Sequence, residues 1–169
     1  MRRVLIIGAS GAGKSTLAVR LGKILGLPVI HLDAEHWMPN WVAPPQEEWR
    51  PKVEKLCRLD SWIMDGNFSG SLDIRIPASD TVIFMDYPRP VYIWRVLKRV
   101  WKLRNQTRPD MAPGCPERFD REFMVWLWHF ARNTRPSILD KIRANGKGKK
   151  VVILHNQSDT DRYLASIGG

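Results

Sequence analysis

The chain has 169 residues, 44% hydrophobic and 26% charged, a balance that is typical of globular proteins and argues against a disordered chain. A chain of this length can bury a core, so we expect one domain over residues 1–169. The formal net charge of +10 favours anionic partners, nucleotides and nucleic acid among them. The sequence does not indicate the oligomeric state. No apolar run approaches the ~20 residues of a membrane span, and Cys57 and Cys115 lack metal-ligand spacing, so a cytoplasmic protein without a membrane partner is expected.

The first sixteen residues read as a strand, a turn and the start of a helix. Aliphatic residues 4–7 are followed by a glycine, four further residues and then Gly-Lys-Ser, which is the phosphate-binding loop pattern. Glycine lets the backbone approach and wrap a polyphosphate, and the helix that follows presents its N-terminus to the anion. Lys14 adds a point charge, and the Ser15 hydroxyl is a ligand for Mg²⁺. The predicted nucleotide-binding residues are Gly8, Ala9, Ser10, Gly11, Ala12, Gly13, Lys14, Ser15 and Thr16.

A second predicted strand, residues 27–33, ends in Asp33. Open α/β sheets bind ligands at the carboxyl ends of their strands, so Asp33 is a candidate general base or a group that supports Mg²⁺. The alternative is a helix cap. Within the acceptor-side loop, 33–51, residues 37–51 are rich in Trp and Pro and are expected to form either a substrate wall or a surface loop pinned by tryptophans. A short helix is expected from about Gln46 to Leu59.

Two further strands end in carboxylates that could serve the metal. The strand at 61–65 ends in Asp65-Gly66, whereas the strand at 81–86 has four apolar residues and then Asp86. The second pattern is superficially the better Walker B match, so the residues alone leave both candidates open. Residues 68–79, between the two strands, are predicted to be a loop.

The clearest predicted helix spans residues 90–104. Its apolar residues, up to Trp101, follow the spacing of a buried stripe. The opposite face carries four cations at i, i+3, i+4 and i+7: Arg95, Lys98, Arg99 and Lys102. Solvated faces usually mix charge signs, so an unmixed basic stripe favours contact with an anion.

The segment 105–118 has three Pro and little periodicity, and is predicted to be a flexible flap containing Arg108. An amphipathic helix with a core stripe of aromatics (Phe119 and Trp126 among them) should follow and end before Pro136. A further helix at 137–144, a strand at 151–154 and a final helix complete the chain. Five strands alternating with helices predict an α/β fold with a parallel sheet covered on both faces.

An ordered set of segments covers most of the chain: GASGAGKST (8–16), HLDAEHWMPNW (31–41), WIMDGN (62–67), VIFMDYP (82–88), RPD (108–110), GCPERF (114–119) and RP near 135. With these segments the chain resembles the small P-loop kinases of the adenylate kinase and shikimate kinase type, and more closely the bacterial group labelled DNA topology modulation proteins. The resemblance implies a three-layer P-loop NTPase fold, a five-stranded parallel sheet of order 2-3-1-4-5 and a lid at about 105–118.

The same resemblance implies an ATP-dependent kinase that uses Mg²⁺ and transfers the γ-phosphoryl group to a nucleotide, nucleoside or hydroxylated metabolite. In such kinases the third strand adjoins the phosphate loop and ends in Asp-Gly, which favours Asp65 over Asp86, with Ser15, as the metal-associated carboxylate. Arg95 and Arg99 match the paired arginines that clamp the transferring phosphoryl group, and Lys14 and Asp33 complete the catalytic set. The adenylate pocket is not matched at 33–50, so the acceptor is left open. The alternative is a P-loop ATPase that binds nucleic acid and modulates DNA topology.

Overall fold

The fold was obtained as a computed structural model that describes residues 1–168. Its strands are β1 (Arg3–Gly8), β2 (Val29–His31), β3 (Trp62–Asp65), β4 (Thr81–Met85) and β5 (Lys150–Leu154). Its helices are α1 (Lys14–Leu25), α2 (Leu32–His36), α3 (Gln46–Cys57), α4 (Leu72–Ala78), α5 (Arg89–Lys102), α6 (Arg121–Asn145) and α7 (Gln157–Gly168). Two short 3₁₀ turns lie at Pro39–Trp41 and Ser69–Ser71.

The five strands form one parallel sheet of order β2-β3-β1-β4-β5, as predicted. The central strand β1 is almost wholly buried, because Val4 and Ile6 face one core while Leu5 and Ile7 face the other. One core is shared with α1 and α7 and the other with α3, α4, α5 and α6, so helices cover both faces. A continuous apolar run is what a strand buried on both faces requires.

Two local predictions near the sheet were wrong. Strand β2 ends at His31, and Asp33 therefore lies in the first turn of the short helix α2 instead of at a strand end. Residues 68–79 contain helix α4 instead of a loop. The side chains of Leu72 and Ile76 are buried against the sheet, and Arg75 is fully buried, so tertiary packing stabilises a helix too short for its periodicity to be recognised.

Helix α6 runs without a break from Arg121 to Asn145, whereas Pro136 was predicted to end it. Proline removes one intrahelical hydrogen bond, at a cost of about 3 kcal/mol or more in a helix interior. Here Arg132, whose carbonyl loses its partner, is exposed to water, while Ile138 and Ile142 are buried beyond the proline. Burial on both sides of Pro136 keeps the helix continuous.

The outer face of α5 differs from the predicted buried stripe. Trp101, which belongs to that stripe, is 81% exposed, while Val96 is buried. Trp94, which was not part of the predicted stripe, is 65% exposed. In α6 and the residues before it, Phe119 and Trp126 are also exposed, although both were assigned to the core. Among the described residues, we find no helix with the length and apolar character to cross a membrane.

Candidate active site

The phosphate loop leaves β1 at the centre of the sheet and enters α1 through Gly13. Gly11 and Gly13 have φ of 81° and 103°, values that favour glycine. A Cβ on Gly11 would also collide with the Tyr92 carbonyl oxygen of α5. No side chain caps the N-terminus of α1. The turn therefore exposes backbone N–H groups to the space in front of the helix, as an anion site needs.

Lys14 lies half-buried across this loop, and its Nζ donates to the Ala9 carbonyl oxygen at 3.0 Å. Burial lowers the pKa of Lys14, whereas the charges of Asp33 and Asp65 act to raise it. The charges of Arg99 and Arg108 lower it further. Four charged groups from four parts of the chain thus lie within electrostatic reach of one ammonium.

Helix α5 packs directly on the phosphate loop and divides the predicted basic stripe in two. Arg95 donates to the Ala12 carbonyl oxygen at 3.1 Å and stacks over Tyr87 at 5.1 Å. Arg99 lies deeper, and burial followed by the charge of Arg108 lowers its pKa. Lys98 and Lys102 are exposed. The structure therefore brings Arg95 and Arg99 to the phosphate loop and leaves the two lysines in solvent.

The two candidate metal carboxylates have different surroundings. Asp65 is buried at the end of β3, and its Oδ1 is 2.7 Å from Nδ1 of His31, the neighbouring residue in β2. The hydrogen bond to Asp65 raises the pKa of His31. Asp86 instead accepts two hydrogen bonds from Arg135, both at 2.7 Å. Asp65 is near Lys14 and free of any arginine contact among the described residues, whereas Asp86 is engaged in a bidentate pair.

Asp33 faces the same space from α2. Burial raises the pKa of its carboxyl above the ordinary value of 3.8, although Lys14 and Arg108 act in the opposite direction. A raised pKa brings a carboxylate closer to the range in which it can accept a proton at neutral pH. The structure thus places the Asp33 carboxyl in the space in front of the phosphate loop, with a pKa that burial raises.

The two ends of the flap, residues 105–118, are joined by hydrogen bonds, and the flap places charged side chains in the site. Main-chain hydrogen bonds join Asn105 and Gln106 to Glu117. The buried Glu117 Oε1 lies 3.0 Å from Nε of Arg99 and 2.6 Å from Nε of Arg108, and both are ion-pair contacts without hydrogen-bond alignment. One flap carboxylate therefore holds two guanidinium groups at the phosphate loop.

A second flap carboxylate reaches the phosphate loop itself. Burial acts to raise the pKa of Asp110, but Arg108 and a hydrogen bond from the Ser15 hydroxyl hold it below its ordinary value. Nη1 of Arg108 donates to Asp110 at 2.8 Å. Asp110 thus lies at the hydroxyl that was predicted to bind the metal.

The flap rests on the loop that follows α2. Trp41 Nε1 donates to the Pro116 carbonyl oxygen at 3.0 Å, and Asn40 N donates to Gly114 O at 2.8 Å. Met111 and Cys115 of the flap form a small apolar cluster against Trp37 and Trp41. These contacts build a wall over the space in front of Asp33.

Two cavities meet in front of the phosphate loop. The first, of about 700 Å³, is lined by the loop, His31, Arg95, Asp110 and Gln157, and we call it the donor cavity. The second, of about 490 Å³, lies under the flap between α2, the loop after β3 and α6, and we call it the acceptor cavity. Five residues line both cavities: Ser10, Lys14, Asp33, Arg99 and Arg108. We call this shared set the junction.

Sequence reasoning missed several residues of the site. Asp110 and Glu117 lie in segments of the resemblance, yet neither received a role, because a flap without periodicity gives no indication of which side chains point inward. Asn67 lines the acceptor cavity with its Oδ1 buried and unpaired. The buried Arg75 fixes the main chain there through hydrogen bonds to the carbonyl oxygens of 66–68. The polar run after Asp65 was the available signal for Asn67.

Comparison with known proteins places the fold in a defined class. No family model matches the chain. It is 26% identical over 156 residues to an adenylate kinase of Gloeobacter violaceus, covering 70% of this chain and 71% of that enzyme. Among solved structures, a shikimate kinase from Acinetobacter baumannii in complex with shikimate superposes with a TM-score of 0.61 at 14% identity, covering 99% of this chain and 90% of that one. A deoxyadenosine kinase from M. mycoides gives a TM-score of 0.55 at 14% identity, covering 97% and 95%.

The structural likenesses show the P-loop kinase fold, and the adenylate kinase likeness adds the enzyme class. The protein is a nucleotide-dependent kinase of the P-loop type.

Proposed function

We propose that the protein is an ATP-dependent phosphotransferase that uses Mg²⁺ to transfer the γ-phosphoryl group of ATP to a small molecule. The observation that carries the proposal is the junction, where the donor and acceptor cavities share a lysine, two arginines and a half-buried carboxylate. Transfer requires the donor phosphate and the acceptor oxygen to meet in line among positive charges. The junction supports the proposal because it brings positive charges to the point where the two cavities meet.

The donor half supports binding of a nucleoside triphosphate. Backbone N–H groups of residues 9–15 and the Lys14 ammonium would hold the β- and γ-phosphates, with the adenine beyond Gln157. Mg²⁺ would be held by the Ser15 hydroxyl and by Asp65 through water, and Asp110, which lines the same cavity as Ser15, offers a carboxylate, an oxygen ligand that suits this ion. When bound, Mg²⁺ would neutralise charge on the phosphate oxygens.

The chemistry needs one base and several cations. The acceptor hydroxyl oxygen forms a bond to the γ-phosphorus, the bond from that phosphorus to the bridging oxygen breaks, and the hydroxyl proton passes to the Asp33 carboxylate. Arg95, Arg99 and Lys14 would stabilise the charge on the phosphoryl group as it moves. Arg108 of the flap adds a cation that the sequence alone had not fixed in the site.

A phosphoryl-transfer screen tests this proposal. Purified protein is incubated with ATP, Mg²⁺ and a panel of nucleosides, nucleoside monophosphates and hydroxylated metabolites, and ADP and phosphorylated product are measured together. The expected result is ADP formation that depends on one acceptor and matches product in amount. ADP release that no acceptor stimulates would contradict the kinase proposal and would favour an ATPase.

A second candidate function, nucleic-acid binding by the outer face of α5, is favoured by a specific observation. Trp94 and Trp101 are strongly exposed, and Lys98 and Lys102 are exposed beside them on the same helix. Stacking aromatics next to cations are the elements of a single-strand binding surface. This interleaving was not expected from the sequence, which had placed Trp101 in the core.

Nucleic-acid binding can be tested separately from kinase activity, by the salt dependence of DNA affinity and by substitution of Lys98 and Lys102. Affinity for a fluorescent single-stranded DNA is measured at two salt concentrations for wild type, Lys98→Ala and Lys102→Ala. Nucleic-acid binding predicts weaker affinity in both variants and a salt slope reduced by about one. Unchanged affinity and slope in both variants would remove this candidate and leave the kinase proposal untouched.

A further inference from the structure

We propose that the acceptor is an unphosphorylated alcohol that carries an aromatic ring, a nucleoside being the chemical type, and that a nucleoside monophosphate is disfavoured. This inference rests on the proposed function, since it takes the second cavity as the acceptor's. It goes further by naming the chemistry that the cavity selects.

The charged residues that line the acceptor cavity indicate that its ligand is not phosphorylated. A phosphorylated acceptor would bring a dianion, which needs arginine or lysine side chains that are not already paired. At the junction, Arg99 and Arg108 share Glu117 and lie beside Lys14, where the transferring phosphoryl group needs them. Beyond the junction, Arg118 is the one cation among the described residues that line the cavity, and Asp120 lies 3.9 Å from it.

The balance of charge therefore disfavours a second phosphate in this cavity. Lys14 and Asp33 lie at the junction, and two arginines engage Glu117. The charges that remain beyond them are one arginine and one aspartate, which offset each other. An anionic acceptor would have to give up its hydration shell without gaining a free cation, which is costly. A neutral acceptor avoids this penalty.

The walls of the cavity carry the second step. Five aromatic rings line it: Trp37, Trp41, Phe68, Phe123 and Trp126. Trp37 and Trp41 meet edge to face with centroids 5.6 Å apart, and Phe123 and Trp126 are stacked at 5.8 Å. Aromatic walls contribute most to a planar ring, through stacking and burial of apolar area. A cavity of about 490 Å³ has room for a ring together with a sugar.

The third step is the pattern of hydrogen-bonding groups between the rings. Asn67 Oδ1 is buried without a partner, and Asp33 presents a carboxylate at the junction. Arg75 donates to the main-chain carbonyl oxygen of Asn67, which fixes the point from which this side chain leaves the wall. Both oxygens are hydrogen-bond acceptors, so the ligand must offer donors, such as an amino or imino group on a ring and a hydroxyl near the phosphate.

The experiment compares matched compounds in two assays. Transfer from ATP is measured for a set of nucleosides, for their 5′-monophosphates and for a polyhydroxylated alicyclic acid without an aromatic ring. Binding of the same compounds is measured by calorimetry in the presence of Mg²⁺ and a non-hydrolysable ATP analogue. At least one nucleoside should show a kcat/KM about tenfold or more above that of its monophosphate and should bind more tightly.

The outcomes separate the two proposals. A monophosphate or the ring-free acid that exceeds every nucleoside in kcat/KM would overturn the acceptor class and leave the kinase proposal standing. Absence of transfer to any compound would overturn the proposed function, and the binding assay would still decide whether the cavity prefers the uncharged ring. Absence of nucleoside binding would overturn the acceptor class by itself.

A pair of variants tests the charge argument separately from folding. Asp120→Asn removes the charge beside Arg118 but keeps a side chain that can cap α6, which Asp120 does by accepting from Phe123 N. The ratio of monophosphate to nucleoside kcat/KM should rise several-fold, about five. The matched control is Asp140→Asn, which breaks an exposed ion pair with Arg143 on the same helix and should leave the ratio unchanged. An unchanged ratio in Asp120→Asn would contradict the charge argument.

A second pair tests the rings. Trp126→Leu removes a wall of the acceptor cavity, and the KM for the nucleoside should rise about tenfold while the ATP affinity stays within a factor of two. The control, Trp101→Leu, changes an exposed tryptophan outside the residues that line the cavity. Equal nucleoside KM values in Trp126→Leu and wild type would overturn the assignment of the rings.

Discussion

The donor and acceptor cavities are built in different ways. The donor cavity is built around one continuous stretch, residues 10–17, in which glycines give the backbone turn its shape. The acceptor cavity has no such stretch and is lined by residues of α2, the loop after β3, the flap and the start of α6. A backbone site binds any polyphosphate, because every residue offers an N–H. A side-chain site selects its ligand by shape, charge and hydrogen bonding. The comparison indicates that reaction type and specificity reside in separate parts of this molecule.

The sharpest test of the donor half is Lys14→Ala. We expect ATP turnover to fall to background, because the ammonium that would hold the β- and γ-phosphates is lost. The fold should survive, since Lys14 is half-buried with one hydrogen bond and its burial already lowers its pKa. Turnover is measured by ADP release and folding by thermal denaturation. If the folded variant turns over ATP at the wild-type rate, the assignment of the phosphate loop as the ATP site is wrong.

The two arginines of α5 at the phosphate loop provide the next test, with the exposed lysines of the same helix as matched controls. Arg95→Ala and Arg99→Ala should each lower kcat about 10²–10⁴-fold with little change in nucleotide Kd, because they would act mainly in the transition state. Lys98→Ala and Lys102→Ala should change kcat less than about twofold, since both side chains are in solvent. Similar effects of all four substitutions on kcat would contradict the inference that the two arginines act in the site while the two lysines do not.

Asp33 should give the acceptor half a pH signature. As a base it must be ionised, so kcat should fall as the pH decreases through its pKa, which burial raises above 3.8. In Asp33→Asn, kcat should fall about 10²–10⁴-fold and this acid limb should disappear. The pKa of Asp33 is higher in the folded protein than in the unfolded chain, where it is about 3.8. Ionisation of Asp33 therefore favours the unfolded state, and the free energy of unfolding decreases as the pH rises from 3.8 through the folded-state pKa. Asp33→Asn should therefore be no less stable at neutral pH. An unchanged acid limb would identify a different base.

These tests also show how much the sequence could predict. The sheet order, the phosphate loop and the positions of Arg95 and Arg99 followed from local patterns and a family resemblance, since backbone sites and helix faces are encoded in neighbouring residues. The acceptor side did not, because contacts such as Trp41 to Pro116 join residues that are 75 positions apart. Asp110 and Glu117 take their surroundings entirely from such long-range packing. Trp101 shows the converse, since helical spacing predicts a face but not what covers it.

The two carboxylates at strand ends should differ by less than the arginines and lysines do. Asp65→Asn should weaken Mg²⁺-dependent turnover about 10–100-fold, because Asp65 would reach the ion through water. Asp86→Asn breaks the pair with Arg135, and we expect a loss of about 1 kcal/mol in the free energy of unfolding with unchanged metal dependence. Activity is titrated with Mg²⁺ in both variants. A rise in the Mg²⁺ requirement of Asp86→Asn alone would reverse the assignment.

The smallest expected effect concerns Glu117, the flap carboxylate that contacts both Arg99 and Arg108. Glu117→Gln keeps the size of the side chain and removes the charge that Arg99 and Arg108 share. Both arginines would still line the junction, so kcat should change only a few-fold, about three, whereas the flap would lose an anchor and the acceptor KM should rise about as much. The two guanidinium groups would then attract an anionic acceptor more strongly, so monophosphates should gain relative to nucleosides. Glu122→Gln, an exposed change in the first turn of α6, is the control. If Glu117→Gln lowers kcat as far as Arg99→Ala does, Glu117 belongs to the transfer machinery and the two cavities are less separate than their construction indicates.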